Sequence, residues 1–233
     1  SKLNTQNSSM SWDQLWKLLQ LASPSLPVGA YSYSEGLEVL RENDRLTTAQ
    51  DLQHWFEMEL RYGAIATEGT VLVRAFDAVQ AQDLETLRYW NHWWSAWRDT
   101  EELRNQSWQM GRSLCRLGGA LEPELVPYFQ ACGEVCNFVI AFGTIAAYWQ
   151  LPLPDVVSAY LYSWLSNGVN AGVRLIPLGQ TLGQQMLLGL HPSLEYATHK
   201  ALTQADQDLG GWSHGMGIIS SQHESLYTRL FQS

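Results

Sequence analysis

The chemistry open to this chain is read first from its histidines and cysteines, the side chains that ligate metals or move protons near neutral pH. The histidines are His54, His92, His191, His199, His214 and His223, and no two stand at i and i+4, the spacing that sets a pair on one helical face. They read as structural or surface residues. His214 and His223, which flank a glycine-containing stretch, are the pair to test first for metal. Cys115, Cys132 and Cys136 have no zinc-like spacing, and an odd number of cysteines argues for reduced thiols and a cytoplasmic setting. Cys132 and Cys136 lie four apart on an expected helix and read as small core residues. The sequence has no phosphate-binding glycine loop, HExxH, GxSxG or CxxC. It also lacks the ExxH pairs that build carboxylate-bridged metal sites in helical bundles. No catalytic group, cofactor or metal ligand set is therefore assigned.

Three segments ask for more than a packing role. "ASPSLPVGAYSYSEGLE", Ala22 to Glu38, is longer than an ordinary connection. Pro24 and Pro27 stiffen it, Gly29 relaxes it, and Tyr31 and Tyr33 are left near the next helix start. In "ELRNQSWQMGRSL", Glu102 to Leu114, the polar residues Glu102, Arg104, Gln109 and Arg112 stand among apolar ones, as a solvated face or as an internal polar line. The ending "SSQHESLYTRLFQS" places Leu226, Tyr227, Leu230 and Phe231 at helical spacing, an amphipathic segment that needs something to dock against.

The elements that must hold these segments are helical. Ser11 with Gln14 is a capping-box pattern, and Trp12, Leu15, Trp16 and Leu19 follow the spacing of one face. Thr47 with Gln50 repeats the signal before "DLQHWFEMELRYG". Asp83 is placed to cap a helix on which Trp90, Trp93, Trp94 and Trp97 form one aromatic stripe, read as core rather than as a ligand pocket. Further helices are expected over 100–117, stopping at Gly118 and Gly119, and over 127–150, 154–173, 177–188 and 193–208. No run alternates as a strand would. The expectation is an all-α, single-domain bundle of eight to ten helices over 1–233, with 1–10 flexible and 220–233 a partner-docking tail.

Composition narrows the partners. Fourteen Lys and Arg against 23 Asp and Glu give a net charge of -9, which opposes nucleic acid and anionic membranes. Between Glu134 and Arg174 the only charge is Asp155, but Asn137, Thr144, Gln150, Asn167 and Asn170 punctuate this stretch and Pro152 and Pro154 divide it. That pattern suits buried helices or a dimer seam better than lipid. "SKLNTQNSSM" has no apolar core of a secretory signal.

Taken together, the segments resemble the UreF family of urease accessory proteins. "LLQLASPSLPVGAYSYSEGLE" (Leu18 to Glu38) is similar to its N-terminal signature and "ELRNQSWQMGRSL" to its central one. "YLYSWLSNGVNAGVRLIPLGQTLGQ" (Tyr160 to Gln184) resembles its late helical pair, and "HESLYTRLFQS" its C-terminus. The similarity runs in order along nearly the whole chain.

The resemblance implies an all-α homodimer that is not an enzyme. Its partners would be a UreD/UreH-type scaffold, a UreG-type GTPase and apo-urease, with GTP hydrolysis coupled to delivery of nickel beside a carbamylated lysine. On that footing Tyr31, Ser32, Tyr33 and Glu35 form, with Arg229, a surface read by the GTPase. The tail from Gln222, with Tyr227, Leu230 and Phe231, orders on the scaffold. Glu102, Arg104, Gln109 and Arg112 either line an internal passage for nickel or form a hydrogen-bond network that orients helices, and the network is preferred. The competing class is an all-α enzyme or small-ligand binder with a Trp-lined pocket.

Overall fold

The computed structural model describes residues 10–29, 36–98 and 100–209, apart from the side chain of Val39. Among them are eleven α-helices and no strand, so the all-α expectation holds with more helices than expected. In chain order these are α1 (Trp12–Leu21), α2 (Leu37–Glu42), α3 (Ala49–Tyr62), α4 (Ala64–Gln80), α5 (Leu84–Trp97) and α6 (Glu101–Leu121). They are followed by α7 (Val126–Ala131), α8 (Phe138–Tyr148), α9 (Leu153–Leu175), α10 (Gln180–Gly189) and α11 (His191–Thr203). No described helix is long and apolar enough to cross a membrane.

Two helices form the centre. Every residue of α4 except Arg74, Asp77 and Gln80 is buried, and α8 is buried from Val139 to Ala147. A helix with almost no wet face belongs inside. α4 packs against α3, α5, α8, α9 and α11, and α8 also meets α1, α6 and α9. Gly143 lets α8 approach closely, since a Cβ there would stand 3.0 Å from the carbonyl oxygen of Leu72 on α4. The buried apolar side chains make one contiguous cluster that includes Trp90 and Trp94, so the aromatic stripe of α5 is core as expected.

Local signals explain most helix starts. Ser11 and Gln14 form the capping box of α1, and Asp83 accepts from the backbone N–H groups of Glu85 and Thr86. The box of α3 is one residue later than expected: Thr48 is the cap and Asp51 its reciprocal acceptor. A carboxylate is the stronger acceptor, and Asp51 takes the N–H groups of both Thr47 (3.0 Å) and Thr48 (2.8 Å).

Three expected boundaries change. The helix expected over 127–150 is two, α7 and α8, separated by a turn in which Gly133 has φ of 91°. α6 does not stop at Gly118 and Gly119 but runs to Leu121; Gly118 lies inside the helix against Ile145 and Phe129, where the glycine serves close packing and not a helix stop. The last expected helix ends at Thr203 and gives way to a short 3₁₀ turn, Asp206–Asp208. Arg74 ties that turn to α4 through the Asp206 carboxylate and the Gln204 carbonyl, each at 2.6 Å.

α1 corrects one assignment of face. Leu18 and Leu21 are its buried residues, whereas Trp12, Trp16 and Leu19 are exposed, with the two indoles stacked 6.1 Å apart. The periodicity was real, but the apolar side it marks is not the side that meets the core.

Candidate functional site

The loop after α1 is held by alternation and turns. Leu26 and Val28 point inward while Pro24, Ser25 and Pro27 stay exposed. Ser23 closes the first turn by accepting from the N–H of Leu26 (3.0 Å), and its hydroxyl pairs with that of Ser25 at 2.7 Å. Gly29 and Gly36 both take positive φ, 80° and 81°, so residues 30–35 are bracketed by two positions that favour glycine. Beyond Gly36, Leu37, Glu38 and Leu40 are buried, which anchors the far side.

Below the loop lies a chamber of about 70 Å³. Leu21, Leu26 and Val28 close it from the loop side, with Met110 of α6, Phe142 of α8 and Trp164 of α9 among its apolar walls. Its polar lining includes Glu68 of α4, Arg98 at the end of α5, and Gln106 and Ser107 of α6. Arg98 is 6% exposed and its guanidinium lies 4.9 Å from the ring centroid of Trp94. Its Nη2 stands 3.9 Å from Oε2 of Glu68, an ion pair longer than a hydrogen bond. None of the stripe residues Trp90, Trp93, Trp94 and Trp97 lines the chamber, whose tryptophan is Trp164.

The central segment sorts its polar residues onto different sides of α6. Gln109 and Arg112 are exposed, Glu102 and Arg104 are partly buried, and none of the four lines the chamber. Arg104 donates from Nη1 to the carbonyl of Arg98 at 2.7 Å, fastening the turn between α5 and α6. The inward polar residues of α6 are Gln106 and Ser107.

A buried network that the sequence did not single out stands beside them. Asn91 on α5 donates to the carbonyls of Cys132 and Val135, at 3.1 and 2.8 Å. Its own side-chain oxygen accepts the N–H of Asn137 at 2.9 Å. Asn137 donates to Ser95 Oγ at 2.7 Å and accepts from Ser107 Oγ at 2.9 Å. α5, α6 and the turn before α8 are thus joined by satisfied amides in a dry interior, where directional bonds fix relative orientation. A non-periodic Asn in an otherwise apolar run was the available signal.

Cys132 and Cys136 are buried, as expected for core residues, and Cys115 is partly buried. Hydrogen bonding with Cys115, then with Cys132, and burial push the Cys136 thiol up, so it stays protonated at neutral pH. Among the described residues no three His, Cys, Asp or Glu side chains come close enough to hold a metal ion. Tyr31, Ser32, Tyr33 and Glu35 lie outside the described residues, as do His214, His223, Tyr227, Arg229, Leu230 and Phe231.

Comparison with known proteins agrees with this architecture. The family model described as UreF matches residues 46–191, more than half of the chain. The urease accessory protein UreF of Nostoc sp. is 54% identical over 216 residues, covering 93% of this chain and 94% of the relative. The protein of that name from Microcystis aeruginosa is 49% identical over 94% of this chain and 98% of its own length. The one from Alkalilimnicola ehrlichii is 36% identical over 97% and 98%. These relatives are named as accessory proteins and not as enzymes. On a family match through the helical core and a similarity that continues through the loop and beyond it, the chain belongs to the UreF family of urease accessory proteins.

Proposed function

We propose that this protein acts as a homodimeric, cytoplasmic adaptor. It would join a UreD/UreH-type scaffold and a UreG-type GTPase to apo-urease, so that GTP hydrolysis is coupled to nickel delivery. The observation that carries the reading is the chain-long similarity to urease accessory proteins. The exposed Trp12, Trp16 and Leu19 support it, since a contiguous apolar face on a helix end suits a binding surface. So do Gly29 and Gly36, whose positive φ sets the backbone direction on either side of residues 30–35.

Within this reading Tyr31, Ser32, Tyr33, Glu35 and Arg229 contact the GTPase, and Tyr227, Leu230 and Phe231 contact the scaffold. Arg104 has an orienting role, because it is fastened to the Arg98 carbonyl. A nickel passage lined by all four of Glu102, Arg104, Gln109 and Arg112 would have to include the exposed Gln109 and Arg112, so the network role is favoured for this segment.

The test is co-purification from cells expressing this chain together with the scaffold, the GTPase and apo-urease. Tyr31→Ala and Arg229→Ala should lose the GTPase and keep the scaffold, whereas deletion of residues 222–233 should lose the scaffold without unfolding the chain. GTPase capture at wild-type strength by both point variants would overturn the first assignment. An unchanged scaffold dissociation constant after truncation would overturn the second.

A further inference from the structure

The chamber beneath the loop has polar chemistry that an adaptor role does not use. Arg98 is nine-tenths buried, and its Nε has no hydrogen-bond partner among the described residues. A buried donor left unpaired is costly, and a native interior supplies it with water or a ligand. Trp94 covers one face of the guanidinium, which fixes its plane and leaves the edges for hydrogen bonding. Glu68 sits 3.9 Å from Nη2, too far for a direct hydrogen bond and close enough for one small group to bridge both side chains.

Size and charge restrict that group. At about 30 Å³ of liquid per water, a chamber of 70 Å³ holds a few waters or a ligand of about four heavy atoms. The arginine and glutamate together are neutral. An ion of either sign is attracted by one of the two side chains and repelled by the other, which leaves both that repulsion and its own desolvation uncompensated. A neutral molecule carrying an acceptor and a donor on adjacent atoms meets neither penalty.

We propose that this chamber is a binding site for a small neutral amide of the acetamide or urea type. Its carbonyl oxygen accepts from Arg98, its N–H donates to the Glu68 carboxylate, and Leu21, Leu26, Met110 and Phe142 exclude water around it. The chamber lies under the loop that the adaptor reading assigns to the GTPase, but its test reads ligand binding by this chain alone, so its failure is distinguishable from failure of that reading.

Saturation-transfer NMR on the full chain tests it with acetamide, urea and acetate as probes. Acetamide and urea should bind saturably with Kd on the order of 0.1–10 mM, the range open to so small a ligand, and acetate about tenfold more weakly or not at all. Glu68→Gln removes the counter-charge of Arg98, so that variant should reverse the preference in favour of acetate, and Arg98→Met should lose both. Circular-dichroism melting curves establish that each variant folds, and the discrimination by wild-type protein needs no variant. The proposal is overturned by water alone in the site, seen as no saturable amide signal to about 100 mM, tenfold above the weakest Kd expected. Equal binding of acetate and acetamide by the wild type, or amide binding retained by folded Arg98→Met, also overturns it.

Discussion

Gly111 and Gly118 are alike in sequence and unlike in what surrounds them. A Cβ at Gly111 would overlap the backbone carbonyl of Cys136, which cannot swing aside, whereas at Gly118 the nearest atom is the tip of Ile145 at 3.0 Å. Gly111→Ala should therefore cost about 1–3 kcal/mol or more, the range for overpacking. Gly118→Ala should cost less, because a gain of about 1 kcal/mol in helix propensity offsets a small side-chain shift. Equal midpoints for the two variants in urea unfolding would contradict the close-approach assignment. Asp51 offers a test by pH. Hydrogen bonds from the N–H groups of Thr47 and Thr48, and then from their hydroxyls, bring its carboxyl down to about 2 from an ordinary 3.8. A carboxyl lowered on folding adds stability above the unfolded value and loses it as pH falls through the folded one. The gap in melting temperature between wild type and Asp51→Asn should thus be full above pH 4 and close between about 4 and 2; a gap constant across that window would refute the assignment. At this scale the sequence was informative about caps, since both Ser11 and Asp83 act as their types suggest. It did not distinguish Thr47 from Thr48, because either hydroxyl can cap and only the position of Asp51 decides.

At the scale of elements, what the sequence revealed depended on contrast. α3 and α5 have wet and dry faces, and their periodicity was readable. α4 has almost no wet face, so it offered no period to detect although it is the most connected helix of the core. α1 offered a period whose apolar side faces outward, since burial depends on the neighbouring helices and not on the pattern alone. The break between α7 and α8 was hidden for a related reason. Gly133 makes the turn, and Asn137 then bonds across to Asn91 and Ser95, contacts that sequence spacing does not display. Asn137→Ala should destabilise the protein by about 2–3 kcal/mol, because the oxygen of Asn91 loses the side-chain donor and Ser107 its acceptor in a dry interior. Urea denaturation would measure this, and a loss below about 0.5 kcal/mol, less than a typical single net bond, would show that the network is not a stabilising joint.

The whole molecule is an all-α body of net charge -9, with a small chamber beneath the loop after α1 and an aromatic helix face turned outward. Its fold class and family were legible because four ordered segments carry them together. The polar lining was not: Glu68, Arg98, Gln106 and Ser107 come from three separate stretches and meet only through packing. The residues assigned to partners belong to segments outside the described ones, so their roles rest on resemblance. The adaptor account is tested most directly by reconstituting urease activation. Apo-urease, scaffold, GTPase, nickel, bicarbonate and GTP are combined with and without this chain, and urease activity and bound nickel are read together. Both should rise only when the chain is present and GTP is hydrolysable. Equal activity and nickel content in its absence would contradict the account.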